Sequence, residues 1–198
     1  MRKIVSEYNV YSFDELSDSA KQNARDWFIS IIESFDYADF TINSFKEIAN
    51  MLGFTISNTY FSGFWSQGDG ACFEGSYYYA KHSVKSIKMY APNDATLNDI
   101  AERLAAMQKR CFYNVSAKIR HSGFYYHERS MSFDVEDEGY AGKAFAEMED
   151  EFKEICADLA RWLYKSLEAE YEYVTSDEYI EESILANGYE FYENGKIA

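Results

Sequence analysis

The sequence predicts an α+β fold: an antiparallel or mixed sheet of about five or six strands, covered by helices. Two stretches, 55–79 and 112–135, set β-branched and aromatic residues around glycine-bearing turns, the pattern of hairpins. Several other stretches space their apolar residues by threes and fours, as a helix buried along one stripe does. Helices separate the hairpins without alternating strictly with single strands, which disfavours an all-parallel sheet.

Ile4–Tyr11 reads as an opening strand, its valines and tyrosines suiting a pleated surface, and Phe13–Leu16 as a short turn. Ser17 offers a cap for a helix over Asp18–Ser34, where Ala20, Ala24, Trp27, Phe28, Ile31 and Ile32 share one stripe. A second helix, Asp39–Leu52, is expected to bury Phe40, Ile42, Phe45, Ile48 and Leu52 and to stop at Gly53. Thr55–Trp65 and Ala71–Tyr79 then read as paired strands turning at Ser66–Gly70, and Val84–Tyr90 as a third strand. Pro92 breaks the chain before a helix over Ala95–Arg110, with Asn93 or Asp94 near its cap. Phe112–Arg120 and Tyr125–Val135 form the next strand pair.

A long helix follows from Ala141 to Tyr173, its stripe marked by Phe145, Met148, Phe152, Ile155, Leu159 and Trp162. Thr175 or Ser176 caps a last helix ending at Asn187-Gly188, and Tyr189–Tyr192 is a closing strand before the Asn194-Gly195 turn. No linker rich in Gly, Ser or Pro divides the chain, so residues 1–198 read as a single domain with an acidic helical segment over about 134–186.

At 198 residues, with 47% hydrophobic and 18% aromatic content, the chain can build a real core and does not read as disordered. Its 19 basic and 34 acidic residues give a formal net charge of −15. Direct nucleic-acid binding is disfavoured, because phosphate contacts need a basic surface. There is no long apolar run, and MRKIVSEYNVYSFDEL lacks an uninterrupted apolar stretch, so neither membrane spanning nor secretion is expected. Cys72, Cys111 and Cys156 are unevenly spaced and form no CxxC pair, which suits a reducing compartment.

The charge is segregated. Between Asp134 and Glu182 stand 17 acidic residues against four basic ones, a net of −13, which leaves −2 for the remainder. On the long helix Glu147, Glu151, Glu154 and Asp158 form a carboxylate ladder with rungs about 5–6 Å apart, and Asp150 lies beside it. Like charges at that spacing destabilise a helix, so selection for stability alone would alternate the signs. The interval is close to that between neighbouring phosphates, so the ladder suits a groove built for a nucleic-acid backbone. Farther along, Glu168, Glu170 and Glu172 alternate with Tyr171 and Tyr173, an acidic and aromatic texture fit for an arginine-rich partner.

The hairpins carry a second candidate. Tyr60–Trp65 and Arg120–Tyr125 each contain Ser-Gly-Phe followed by an aromatic residue. Alternation puts Val115, Ala117 and Ile119 on the core face, with Met131, Phe133 and Val135 opposite, and extends that face to His121 and His127. The two imidazoles are then expected near one another, and Asp69 and Cys72 join them if both turns lie at one sheet edge. With Trp65, Gln67 and Tyr126 they outline a ligand pocket. Nothing resembling HxxxH or CxxC marks a metal site, and Gly68-Asp69-Gly70 sits in a hairpin and lacks the third glycine of a dinucleotide fingerprint.

The stretches YSFDELSDSAKQNARDWF, YFSGFWSQGDGACFEGSYYY, RHSGFYYHE and YEYVTSDEYIEESILANGYEFYENGK together resemble an uncharacterised family of bacteriophage and prophage proteins, some labelled antitoxin-like. The resemblance implies a phage or prophage origin and the cytoplasm of a bacterial host; it brings no reaction and no catalytic residues. The leading expectation is a non-enzymatic inhibitor of a bacterial defence system of CRISPR or restriction type. It would act as a nucleic-acid mimic that meets a basic surface of a host protein through Glu147, Asp150, Glu151, Glu154, Asp158, Glu168, Glu170 and Glu172. The alternatives are a binder or hydrolase of a small nucleotide ligand at the His/Cys/Asp hairpin edge, and an antitoxin-like partner of a basic toxin. No cofactor, metal, direct nucleic-acid contact or membrane partner is expected, and a homodimer is compatible with the sequence.

Overall fold

A computed structural model describes residues 1–2, 7–34, 37–137, 139 and 142–198. The fold is α+β. In chain order the elements are β1 (Tyr11–Ser12), α1 (Asp18–Ser34), α2 (Asp39–Leu52), β2 (Phe54–Phe61), β3 (Ala71–Tyr77), α3 (Ser83–Tyr90), α4 (Ala95–Arg110), β4 (Ser116–His121), β5 (Met131–Glu136), α5 (Lys143–Val174), α6 (Asp177–Asn187) and β6 (Glu190–Phe191). Two compact units are formed, Phe40–Glu168 and a second combining Met1–Asp39 with Ala169–Ala198.

The Phe40–Glu168 unit is built on an antiparallel sheet in the order β2-β3-β4-β5. Its core is aromatic: the Phe54 ring lies 4.7 Å from Tyr77 and 6.0 Å from Phe73, and Phe152 of α5 lies 5.0 Å from Tyr77. Phe45, Ile48 and Leu52 of α2, Ile100 and Leu104 of α4, and Ile155 and Leu159 of α5 are buried in this unit. These are the three- and four-residue stripes legible in the sequence. Asp94 caps α4, accepting from the Leu97 N–H at 2.9 Å and, with its other oxygen, from the Trp162 indole at 2.8 Å. Gln108 is fully buried and hydrogen-bonds the Tyr77 hydroxyl and both backbone groups of Val115.

The other unit packs Phe13, Ala24 and Phe28 with Ile180, Ile184 and Phe191, and β1 pairs antiparallel with β6. Ser176 caps α6, and Gly188, left-handed at φ 64°, ends it.

Several expectations need correction. Val84–Tyr90 is helix α3, not a strand: its buried residues, Ser83 and Ile87, stand four apart, the helical interval. Phe40, expected in the core, is 77% exposed, because the buried stripe of α2 begins a turn later at Phe45. The strand expected from Tyr125 begins only at Met131, after a loop and a 3-10 turn at Glu128–Ser130. Of the opening strand, Ile4–Ser6 lie outside the described residues, residues 7–10 are not strand, and only Tyr11 and Ser12 pair. Ala141, the expected start of the long helix, also lies outside them; α5 is described from Lys143. No helix among the described residues is long and apolar enough to cross a membrane.

Candidate functional site

The hairpin edge is assembled by β2, β3 and β4. Alternation holds as far as His121: Ala117 pairs with Val135, Ile119 with Phe133 and His121 with Met131, all on one face. His127 falls in the loop between β4 and β5, so the two imidazoles are not cross-strand neighbours. His121 instead packs against two tyrosines, its ring 5.3 Å from both Tyr60 and Tyr126, and those two rings stack at 5.2 Å. Glu74 anchors the group, accepting from Asn58 Nδ2 at 2.8 Å, the His121 N–H at 3.0 Å and the Tyr60 hydroxyl at 3.1 Å. The Asn58 amide and the His121 N–H hold the Glu74 carboxyl below its ordinary range.

Cys72 and His127 do meet, because the Gly70 backbone runs against the second loop. A Cβ on Gly70 would lie 3.1 Å from the Cα of His127. Cys72 is fully buried beside the His127 backbone and Ser130, and its burial pushes the thiol up more than those hydrogen bonds lower it. A sealed, protonated thiol makes a poor nucleophile or metal ligand. His127 Nδ1 lies 3.2 Å from the Arg129 N–H and 2.9 Å from Glu128 Oε2.

A shallow cleft of about 380 Å3 lies alongside, lined by Gly68, Ser122, Tyr125, His127, Arg129 and Ser130. Asp69 is spent on its own turn, accepting from the N–H groups of Trp65 and Ser66 at 3.0 and 2.6 Å. Trp65 and Gln67 are exposed and do not line the cleft; Tyr126 serves the tyrosine stack. Among the described residues no three His, Cys, Asp or Glu side chains are placed to hold a metal ion. This arrangement can bind a polar or aromatic group; it assembles no nucleophile with an adjacent base.

On α5 the carboxylate ladder is only partly free. Asp158 is clasped by Arg103 and Arg161, each at 2.6 Å, and Glu151 pairs with Arg110. Burial alone would raise the Asp158 carboxyl, but the hydrogen bonds and charges of the two arginines outweigh it and hold the group low. Two of the four rungs thus join α5 to α4. Glu147 and Asp150 are exposed, with lysine neighbours at 3.5 and 3.6 Å, and Glu154 is exposed with no ion pair among the described residues. Glu168 and Glu170 are half-buried and Glu172 is exposed.

The lowered Asp158 pKa stabilises the native state above the ordinary aspartate pKa, and that contribution is lost as pH falls through the folded value. Acid unfolding below about pH 4 is therefore expected to flatten in Asp158→Asn, whose neutral amide has already lost the linkage. Denaturant midpoints at pH 7 and pH 3 check this; an unchanged difference between the two pH values would contradict it.

Sequence reasoning missed Glu74, Asn58 and Tyr60. The signal was present as polar residues on two facing strands, but β2 shifts register between Ile56 and Asn58, so simple alternation does not pair Asn58 with Glu74.

Comparison with curated proteins and with solved structures returns no match. A family model described as a domain of unknown function, DUF8835, matches residues 37–177, most of the chain, which therefore belongs to the DUF8835 family.

Proposed function

We propose that this chain is a non-enzymatic binding protein of phage origin that sets the exposed carboxylates of α5 against a basic surface of a bacterial defence protein, where nucleic acid would otherwise lie. The observation that carries the reading is the excess of acid left on α5 after its internal pairs are satisfied. Glu147 has only the exposed Lys143 beside it and Asp150 only a long contact to Lys153, which Glu149 already holds; such pairs are worth little in water, and Glu154 has no ion pair among the described residues. Such carboxylates lose few existing interactions on meeting arginine, and their field speeds encounter with a basic partner. The inward-facing Glu151 and Asp158 are removed from the contact set, since the α4 arginines occupy them.

The test is the triple variant Glu147→Lys, Asp150→Lys, Glu154→Lys. Proteins that immobilised wild type captures from bacterial lysate at low salt are expected to be lost from the variant. They should also elute from the wild type below about 0.5 M salt, where the Debye length has shrunk to a few ångströms. Capture that is unchanged by both treatments would sink the reading. A basic toxin is a partner of the same chemistry, and the identity of the captured protein separates it from a defence complex.

The second reading, a small-ligand binder at the hairpin edge, is favoured by the cleft that joins His127, Arg129 and Tyr125. Nothing in it supports hydrolysis, because Cys72 is protonated and sealed.

A further inference from the structure

The acidity of the chain hides one basic corner. Between Lys81 and Arg110 six basic residues face three acidic ones. Two of those acids are answered internally: Glu102 by Lys88 at 2.7 Å and Asp99 by Arg103 at 3.1 Å. Among the described residues Lys81, Lys85 and Lys109 make no ion pair. Here the start of α3 and the end of α4 enclose a cleft of about 240 Å3, lined by Tyr79, His82, Ser83, Val84, Lys109 and Tyr113, with Ala80 and Ala105 between them.

The floor and rim of this cleft are built for an anion. Ser83 is only 6% exposed, lines the cleft, and its hydroxyl has no hydrogen-bond partner among the described residues. The oxygen is not among the fully sealed, partnerless atoms of the described residues, so what reaches it comes through the cleft. Ser83 stands at the first turn of α3, whose N-cap His82 makes no side-chain capping bond; the Ser83 and Ser86 N–H groups are met by the Ala80 and His82 carbonyls, and no side chain caps the N–H groups between them. Lys109 supplies charge from the opposite wall, and the Tyr79 and Tyr113 rings, 4.6 Å apart, form an exposed aromatic face at the mouth.

The mouth is held in a strained shape. The non-glycine residues with positive φ among the described residues are His82, Phe112 and Tyr113, and all three are at or next to this cleft. Two successive left-handed aromatic residues are outliers that only a well-braced turn sustains. Gln108 braces it, its backbone carbonyl accepting from the Tyr113 N–H at 2.7 Å while its side chain grips Val115.

We propose that this cleft binds a nucleoside 5′-monophosphate. The phosphate monoester lies between the Ser83 hydroxyl, the α3 N-terminus and Lys109, and the base rests on the Tyr113 ring. A volume of about 240 Å3 is below that of a drug-sized pocket, which fits a phosphate and ribose held inside with the base at the rim. The aromatic face selects a nucleotide over a bare anion, because stacking adds to the charge-assisted contacts.

Titration of the whole protein with AMP, followed by amide chemical shifts, tests this. Saturable shifts are expected at residues 79–85, 109 and 113, with adenosine and inorganic phosphate each binding at least about tenfold more weakly. Lys109→Glu, at an exposed position, should weaken AMP by about tenfold or more, and Ser83→Ala should weaken it while leaving thermal unfolding unchanged. If phosphate alone binds as tightly as AMP, the cleft is a plain anion site and the nucleotide proposal fails. It also fails if AMP, GMP, CMP and UMP give no saturable shifts, if Lys109→Glu leaves binding intact, or if the shifts fall at His127 and Arg129.

Discussion

Gly75→Val is expected to cost at least about 4 kcal/mol, a large part of a domain's total stability, and to leave the Phe40–Glu168 unit unfolded or molten. Strand propensity predicts the opposite, since valine is among the best strand formers and glycine among the poorest, over a range of about 1 kcal/mol. The contradiction is local. Gly75 lies opposite Ile56, where β2 slips register before Asn58, and the bulge drives the Thr55 carbonyl into the space a Cβ would occupy. The oxygen belongs to backbone held in the ladder, so it cannot swing aside as a flexible side chain can. Denaturant unfolding of the variant checks the sign: a midpoint equal to or above wild type would mean the bulge relaxes freely.

Gln108→Leu is expected to lose about 3–5 kcal/mol although it swaps one buried side chain for another of similar size. The amide satisfies three groups that water does not reach: the Val115 carbonyl at 2.7 Å, the Val115 N–H at 3.3 Å and the Tyr77 hydroxyl at 3.2 Å. Leucine leaves all three without a partner, and each buried orphan costs about 1–3 kcal/mol. Burial pushes the Tyr77 hydroxyl well above its ordinary range, with the Gln108 bond only partly offsetting it, so it cannot escape the loss by ionising. Gln108→Glu should be comparably damaging near neutral pH, because it adds a buried charge. A stability change below about 1 kcal/mol for Gln108→Leu would show that water enters and replaces the amide.

Helix boundaries were the most legible part of the sequence. Asp18–Ser34, Asp39–Leu52 and Ala95–Arg110 stand where periodicity and caps place them, as do the Ser176 cap and the Gly188 stop. Each of these runs long enough for the three-four repeat to show itself. The eight residues of α3 do not: Val84 and Ile87 fit too few turns, and the tyrosines before them mimic a strand. That misreading also concealed the basic cleft, which exists only because α3 starts at Ser83 beside the end of α4. Propensity overextends the strands because exposed aromatics such as Trp65 and Tyr125 favour a strand while standing on turns.

The hairpin site was half legible. Parity predicts the face of His121 correctly, but it cannot foresee that β5 begins only after His127, nor that a bulge brings Glu74 opposite Asn58. The carboxylate ladder shows the same limit. Its spacing on α5 follows from the helical repeat, whereas the arginines that claim Glu151 and Asp158 come from α4, 41 and 55 residues away in sequence. Only tertiary structure separates the rungs that bind helices together from those left exposed.

Zero-length carboxyl-to-amine cross-linking of the captured complex, followed by mass spectrometry, puts the proposed docking face to its most direct trial. Cross-links from Glu147, Asp150 or Glu154 to lysines of the partner are predicted, with Glu151 and Asp158 silent behind their arginines. Cross-links confined to other carboxylates, with those three joined only to water-exposed lysines of their own helix, would contradict it.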